Sequence, residues 1–168
     1  MEEIVGRKVR IREVTEADLG RLAAIAEEPE VARRWGPVPG HELAEMLAIT
    51  LDGEVIGAIQ YEEENDPMYR HAGIDVFLSA AHHGRGLGTD AVHALATWLI
   101  DDRGHHRLTI DPAADNAPAI RCYEKAGFRP VGRMRLYERD PASGEWHDGL
   151  LMDLLASELP RDPVAGHR

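Results

Sequence analysis

The spacing of apolar and polar residues changes along the chain, and each change of period predicts a helix or a strand. In the N-terminal third, apolar and charged residues alternate over 7–14 and predict a first strand. Thr15 with Asp18 three residues later has the spacing of a capping box, which opens a helix. Pro29 is expected to end this helix, and a second short helical segment is predicted over 31–35.

The central third predicts a hairpin followed by a longer strand and a helix. Two apolar runs, 47–51 and 55–61, flank an Asp-Gly pair, which is a strong hairpin signal. An acidic stretch over 62–67 is interpreted as a loop, with its three glutamates as a solvated charge run. Segment 73–79 has the pattern of a buried strand, and 86–102 carries apolar residues on one helical face.

The last third predicts a strand, a helix and two more strands. Residues 107–110 form a short strand, and Asn116 and Gly127 are natural cap residues for a helix over 117–126. Two strands follow, over 128–137 and 146–154, and the tail from 160 is expected to be loose. The order predicts a single α/β domain over 1–168, with a mixed sheet and helices packed on it.

Composition limits the classes of function. The chain has 168 residues, 43% of them hydrophobic and 29% charged, which suits one globular domain. No apolar run is long enough to cross a membrane, and a single cysteine suits a reducing, cytoplasmic setting. The net charge of −11 argues against nucleic acid or an anionic membrane as a partner. It is compatible with a cationic substrate, although an acidic surface also keeps a protein soluble.

A glycine-rich turn follows the strand over 73–79 and precedes a helix. Gly84, Gly86 and Gly88 let backbone N–H groups approach a ligand, and the helix start adds a positive dipole end, so a phosphate-bearing cofactor is expected here. A P-loop is excluded because no lysine accompanies Gly88-Thr89. A dinucleotide fingerprint is weakly matched, with Asp111 about 20 residues further on, but six residues separate the strand from the motif's first glycine, Gly86.

Two motifs carry a resemblance to a known family. His83-Gly84-Arg85-Gly86-Leu87-Gly88 resembles the acetyl-CoA pyrophosphate loop of the GNAT superfamily of N-acetyltransferases, with His83 where Gln or Arg is usual. The segment from Asn116 to Phe128, with Tyr123 inside it, resembles the second motif of that superfamily. The amino-acid sequence of 119–128, together with Asp111-Pro112 and Asp66-Pro67, resembles one subfamily in particular, the aminoglycoside 6'-N-acetyltransferases.

This resemblance implies a fold and a cofactor. The fold is the GNAT-like central mixed sheet with splayed middle strands and helices on both faces. Acetyl-CoA would lie with its pantetheine arm between the strands over 73–79 and 107–110, where backbone N–H groups could stabilise an oxyanion. The residues expected to hold the cofactor are Phe77, Leu78, His83, Gly84, Arg85, Gly86, Leu87, Gly88, Thr89, Asn116 and Tyr123.

The resemblance also indicates catalytic and acceptor-binding residues. Tyr123 is expected to be the general acid for the CoA thiolate, against the alternative that it packs in the core. Asp75 is expected to be the general base, directly or through water, with Asp111 and Asp66 holding substrate ammonium groups. Trp35 could stack on a sugar ring, and a core or lid position is equally compatible with its sequence context.

The function expected from these residues is acetyl transfer from acetyl-CoA to the 6'-amine of an aminoglycoside antibiotic, which would confer resistance. Alternatives are a protein N-terminus or a polyamine as acceptor, or a non-catalytic acyl-CoA-binding module. The protein is expected to be a monomer or a homodimer. No metal site is predicted, because the pairs His82-His83 and His105-His106 lack metal-ligand spacing.

Overall fold

The protein folds around one eight-stranded sheet. A computed structural model describes residues 1–161, and most of the tail predicted to be loose, 162–168, lies outside the described residues. The strands stand in the order β1-β2-β3-β4-β5-β6-β8-β7. Their bounds are Ile4–Val5 (β1), Arg10–Glu13 (β2), Leu47–Leu51 (β3), Glu54–Glu64 (β4), His71–Leu78 (β5), Arg107–Ile110 (β6), Arg129–Arg139 (β7) and Trp146–Leu155 (β8).

Helices cover both faces of this sheet. On one face, a cluster of buried apolar residues joins α1–α3 to the sheet, including Phe77 on β5 and Ala58 on β4. On the other face, α4 and α5 pack over the larger core, which includes Ile74 and Leu78 of β5. The helices span Leu19–Ala26 (α1), Pro29–Trp35 (α2), Gly40–Glu45 (α3), Leu87–Asp101 (α4) and Ala117–Lys125 (α5). The predicted mixed sheet with helices on both faces is confirmed.

The two central strands separate from one another along their length. β5 and β6 are parallel, and they pair only at Ala72 with Leu108 and at Gly73 with Thr109. All other strand pairs in the sheet are antiparallel. Because β5 continues to Leu78 without β6 beside it, a gap opens at its C-terminal end. The predicted splay of the middle strands is therefore present, and it positions the candidate site.

Two local predictions are wrong. Pro29 does not end the first helix, which stops at Ala26; it begins α2, where its missing N–H and fixed φ suit the first helical position. The acidic stretch is not a loop from residue 62, because β4 continues to Glu64. Glu63 is also not solvated: its carboxylate lies 2.7 Å from Arg103 and 2.6 Å from the buried His105. These partners lie in the connection between α4 and β6, and the local sequence around Glu63 does not indicate them.

Candidate active site

A cleft opens where β6 separates from β5. It has a volume of about 690 Å³ and runs from the end of β5 to the start of α4. α5 contributes one wall and α2 another. Most residues predicted to bind cofactor line it, namely Phe77, Leu78, His83, Gly84, Gly86, Leu87, Gly88, Thr89, Asn116 and Tyr123. Arg85 is exposed and is not among the lining residues.

The glycine-rich loop presents backbone donors to this cleft. Gly84 and Gly86 both have φ of +75°, a conformation that favours glycine. The first N–H of α4 to bond within the helix is that of Asp90, which donates to the Gly86 carbonyl. The N–H groups of residues 87–89 come before that bond and are the donors that a helix start leaves open. They provide an anion site of the kind that holds a pyrophosphate.

The side chain of His83, whose motif position implies a contact with the cofactor, bonds to the protein backbone. Its Nε2 bonds to the carbonyl oxygen of Leu78 at 2.9 Å, so the ring ties the loop to the end of β5. Asn116 caps α5, and its side chain accepts a hydrogen bond from the N–H of Ala119. Both side chains therefore have structural partners in addition to lining the cleft.

Asp75 and Asp111 both line the inner end of the cleft, on opposite sides of the gap between β5 and β6. Asp75 projects from β5 on the face opposite Ile74, and Asp111 follows directly after β6. Asp75 is exposed towards the open cleft, although protein atoms surround its carboxyl group on the other sides. Loss of hydration first, and then the charge of Asp111, raise the pKa of Asp75 to about 6.

Tyr123 reaches the same place from α5. It is 9% exposed, and it both lines the cleft and belongs to the larger core. Burial raises the pKa of its phenol, with smaller contributions from Cys122, Asp75 and Asp111. The hydroxyl therefore stays protonated across the physiological pH range, and Tyr123 lines the same cleft as both aspartates.

The remaining predicted site residues are divided. Trp35, at the end of α2, lines the cleft and packs edge-on against Phe77 with ring centroids 5.1 Å apart. Asp66 lies on the exposed turn between β4 and β5, where its carboxylate accepts the N–H of Met68. It does not line the cleft, so the structure does not bring it to Asp75 and Asp111. Its predicted role stays a prediction.

Several residues at the site were not found from sequence. Glu138 of β7 lines the cleft, and loss of hydration and the charge of Asp111 raise its pKa. Tyr137 donates its hydroxyl to Asp111 Oδ2 at 2.6 Å. Arg34 of α2 bonds to Asp115 at 2.9 Å. Their contacts depend on the path of distant segments, and no local motif marks them.

Glu28 joins the layer of α1 and α2 to the end of β5. Its carboxylate accepts the N–H of Ala80 at 2.8 Å and the hydroxyl of Ser79 at 3.0 Å. Ser79 and Ala80 lie between the end of β5 and the glycine-rich loop. The contact therefore sets the position of α2, which carries Trp35, relative to the loop.

A second, smaller cavity of about 350 Å³ continues from the site along the sheet face. Asp75 and Asp111 line both cavities. Beyond them, polar side chains of β4, β5 and β6 form an acidic shelf. The shelf lies on the sheet face that carries α1–α3, in the part that these helices do not cover, and it includes Gln60, Glu62, Glu64, His71 and Thr109. The inner end of the cleft thus opens onto an acidic surface.

Comparison with known proteins decides the family. The model of the acetyltransferase (GNAT) family matches residues 12–128, which include the splayed strands, the glycine-rich loop and Tyr123. The chain belongs to the GNAT acetyltransferase family. Aminoglycoside N(6')-acetyltransferase type 1 of Klebsiella pneumoniae is 35% identical over 74% of this chain and 75% of that protein.

Solved structures agree with this assignment. A GNAT-family acetyltransferase from Bacillus anthracis superposes with a TM-score of 0.81 over 94% of this chain and all of that one, at 19% identity, which shows the fold. The aminoglycoside acetyltransferase AAC(6')-Ib in complex with coenzyme A and kanamycin gives a TM-score of 0.72 at 29% identity, over 89% of this chain and 96% of that one.

The family's cofactor is acetyl-CoA, and the residues of the cleft fit it. The donors at the start of α4 suit the pyrophosphate, and Arg121 and Lys125 of α5 add positive charge along the same cleft. The gap between β5 and β6 is open beyond Gly73, which leaves room for an extended arm. Within residues 1–161, no helix has the length and apolarity needed to span a bilayer, and no three His, Cys, Asp or Glu side chains are grouped to hold a metal ion.

Proposed function

We propose that this acetyltransferase acetylates the 6'-amine of an aminoglycoside by direct transfer and thereby confers antibiotic resistance. The observation that carries the proposal is the group of three carboxylates, Asp75, Asp111 and Glu138, at the inner end of the cofactor cleft. The site continues onto an acidic shelf in a chain of net charge −11. Such a surface attracts a substrate that carries several ammonium groups. The similarity to aminoglycoside acetyltransferases supports the same acceptor.

Asp75 has the properties of a general base for this reaction. An ammonium group cannot attack a carbonyl, so its proton must be removed first. With a pKa of about 6, Asp75 is ionised at neutral pH and is a stronger base than an ordinary aspartate. Asp111 and Glu138 lie beside it and would hold further ammonium groups of the acceptor in the cleft.

Tyr123 has the properties of the matching general acid. When bound, acetyl-CoA supplies the activated acyl group as a thioester, and its thiolate needs a proton as it leaves. The Tyr123 hydroxyl is buried at the cleft and stays protonated, so it can donate that proton. The N–H of Ser79 bonds to β4, so that of Phe77 also points to β4 and that of Leu78 faces the gap. There the Leu78 N–H could stabilise negative charge on the carbonyl oxygen.

The proposal is tested by measuring CoA release from acetyl-CoA with a panel of amines. The panel contains an aminoglycoside with a 6'-amine, a close relative with a 6'-hydroxyl, a polyamine and a peptide with a free N-terminus. Turnover with the 6'-amine compound alone is the expected result. A host made to express the chain should then tolerate more of that aminoglycoside than a host expressing Asp75→Asn.

Other outcomes distinguish the alternatives. If both aminoglycosides react, the acceptor class stands and the 6' position is wrong. If only the peptide or the polyamine reacts, the aminoglycoside proposal fails. If calorimetry shows that acetyl-CoA binds and no amine is acetylated, the protein is a non-catalytic binding module.

A further inference from the structure

Strand β7 is interrupted opposite the candidate site. Met134 pairs with Gly149 and Glu138 pairs with His147, so three residues of β7 stand opposite the single residue Asp148 of β8. A bulge of this kind bends a strand and redirects its side chains, and bulges often lie next to active sites. The irregularity is therefore a candidate device for shaping the cleft.

The bulge contains a strained residue that is held by specific contacts. Leu136 has φ of +46°, which is uncommon for a residue other than glycine, and its side chain is 65% exposed. The N–H of Leu136 donates to Asp148 Oδ1, and Arg133 bonds to Asp148 Oδ2. An exposed leucine gains little free energy from packing, so these hydrogen bonds, and not burial of its side chain, hold the strained backbone in place.

The bulge positions the next residue, Tyr137, against β8. An ideal Cβ on Gly149 would lie 2.8 Å from Tyr137 Cδ2, so the tyrosine ring rests on β8 where a glycine allows it to. The chain after Asp111 runs along the other side of β8, with a bridge between Ala113 and Gly149. The ring thus crosses β8, and its hydroxyl reaches Asp111 Oδ2 at 2.6 Å.

This contact has a chemical consequence for Asp111. The hydrogen bond to Asp111, more than burial, raises the pKa of Tyr137 to about 12, so the phenol stays a donor at any pH where an acetyltransferase works. One carboxylate oxygen of Asp111 is occupied by this donor. The other is left to accept from a ligand, and the side chain cannot rotate away without losing the bond. Glu138, which follows Tyr137, lines the same cleft.

We infer that Tyr137 is a positioning residue that orients Asp111 to bind a second ammonium group of the acceptor, and that it thereby selects polycationic acceptors over monoamines. This inference rests on the proposed function, because it concerns the acceptor of the same site. The hydroxyl of Tyr137 donates to Asp111, whereas the charge of Asp75 acts on it only as a smaller, longer-range contribution. Removal of the Tyr137 hydroxyl should change acceptor preference more than the chemical step.

The test is a double-mutant cycle with Tyr137→Phe and Asp111→Asn, measured with a polycationic acceptor and with a monoamine. Tyr137→Phe should raise KM for the polycation roughly five- to tenfold, with kcat and KM for acetyl-CoA within about twofold of wild type. The kcat/KM ratio of polycation to monoamine should fall by the same factor. In the Asp111→Asn background, Tyr137→Phe should have no further effect. Tyr69→Phe, on the exposed β4–β5 turn, is the matched control.

Three results would overturn the inference: an unchanged acceptor ratio, an equal effect of Tyr137→Phe with and without Asp111, or a fall in kcat alone. Failure of the proposed function is seen separately, as absence of wild-type turnover with aminoglycosides. If the wild type acetylates a polyamine instead, the cycle is measured with that polyamine. If it acetylates no amine, the cycle measures the affinity of a polyamine for the complex of the protein with CoA. An acceptor preference that Tyr137→Phe leaves unaltered there overturns the inference as well.

Discussion

At the residue scale, the site raises the proton affinity of two groups, Asp75 and Tyr123. Asp75 becomes a stronger base because hydration is lost and Asp111 lies close by, whereas Tyr123 becomes a weaker acid because it is buried. Both groups line one cleft, and the charge of Asp111 contributes to both shifts. At neutral pH, one group is ready to accept a proton and the other is ready to donate one.

Asp75→Asn should reduce kcat by about 10²- to 10⁴-fold, because the amine loses its proton acceptor. In the wild type, kcat/KM should fall as the pH drops through about 6, where Asp75 becomes protonated. Steady-state rates from pH 5 to 9 check both. Asp52→Asn, on the β3–β4 turn, is the control and should keep wild-type rates. A variant that keeps its activity would show that Asp75 is not the base.

The same substitution should stabilise the protein. A carboxyl whose folded-state pKa is raised costs stability as the pH rises above its unfolded pKa of 3.8, and the full cost is present above about pH 6. Asp75→Asn should therefore have a higher Tm than wild type at pH 7.5 and the same Tm at about pH 3. Thermal unfolding at the two pH values checks this. A Tm difference independent of pH would contradict the cause given for the shift.

Tyr123→Phe removes only a hydroxyl and separates the catalytic role from packing. If the hydroxyl protonates the thiolate, kcat should fall about 10- to 100-fold while KM for acetyl-CoA stays nearly constant, because the ring still fills its place in the core. Steady-state kinetics and urea unfolding are measured on the same variant. Full activity in the phenylalanine variant would mean that Tyr123 is a core residue alone.

At the scale of elements, the close approach of β4 and β5 shapes the cofactor cleft. Gly57 of β4 pairs with Leu78, and an ideal Cβ there would lie 2.1 Å from the Phe77 carbonyl oxygen and 2.9 Å from Leu78 Cα. No side chain fits without moving β5 at the residues that line the cleft. The glycine therefore lets β4 hold the end of β5 in position after β6 has separated.

Gly57→Ala should lower the free energy of unfolding by more than about 2 kcal/mol and also raise KM for acetyl-CoA, because Phe77 and Leu78 must shift. Gly20→Ala is the matched control: it lies within α1, where nothing stands within 4 Å of a new Cβ. There alanine should stabilise the protein by up to about 1 kcal/mol. Urea unfolding measures both variants. Equal effects would show that the clash at Gly57 is relieved without cost.

At the scale of the whole molecule, ion pairs between distant segments hold the sheet to its surroundings. Glu63 of β4 bonds to Arg103 and His105, which lie between α4 and β6. The hydrogen bond from Arg103, assisted by His105, lowers the pKa of Glu63 to about 2, and Asp18 has a similarly low pKa because of Arg12. The Glu63 contacts join segments about 40 residues apart in the sequence, and the Arg12–Asp18 pair joins β2 to the turn before α1.

Glu63→Gln should change the acid stability of the protein. A carboxyl whose pKa is lowered by folding contributes stability above its unfolded pKa, near 4.5, and loses it as the pH falls towards 2. The wild type should therefore lose about 2 kcal/mol more than Glu63→Gln between pH 5 and pH 3. Urea unfolding across that range checks this, and the loss due to Asp18 should remain in both proteins. Parallel curves would contradict the role of Glu63.

The sequence by itself determined the order of most elements and the cofactor loop. Caps, apolar periods and glycines act within a few residues, so Asn116, the 47–61 hairpin and the loop over 83–88 could be located without a fold. Pro29 shows the limit of local reasoning, because a proline can end one helix or begin the next. Only the path of the chain between the two helices separates those cases.

The resemblance predicted that Asp75 and Asp111 share a site, and tertiary structure decided which other charged groups join them. Asp75, Asp111 and Glu138 come together because β5 and β6 separate and because a bulge in β7 redirects two consecutive residues, while Asp66 is carried away on an exposed turn. Glu63 could not be distinguished by sequence from Glu62 and Glu64, since its partners lie about 40 residues away. Electrostatic and hydrogen-bond partners depend on distance in space, and local patterns carry no information about it.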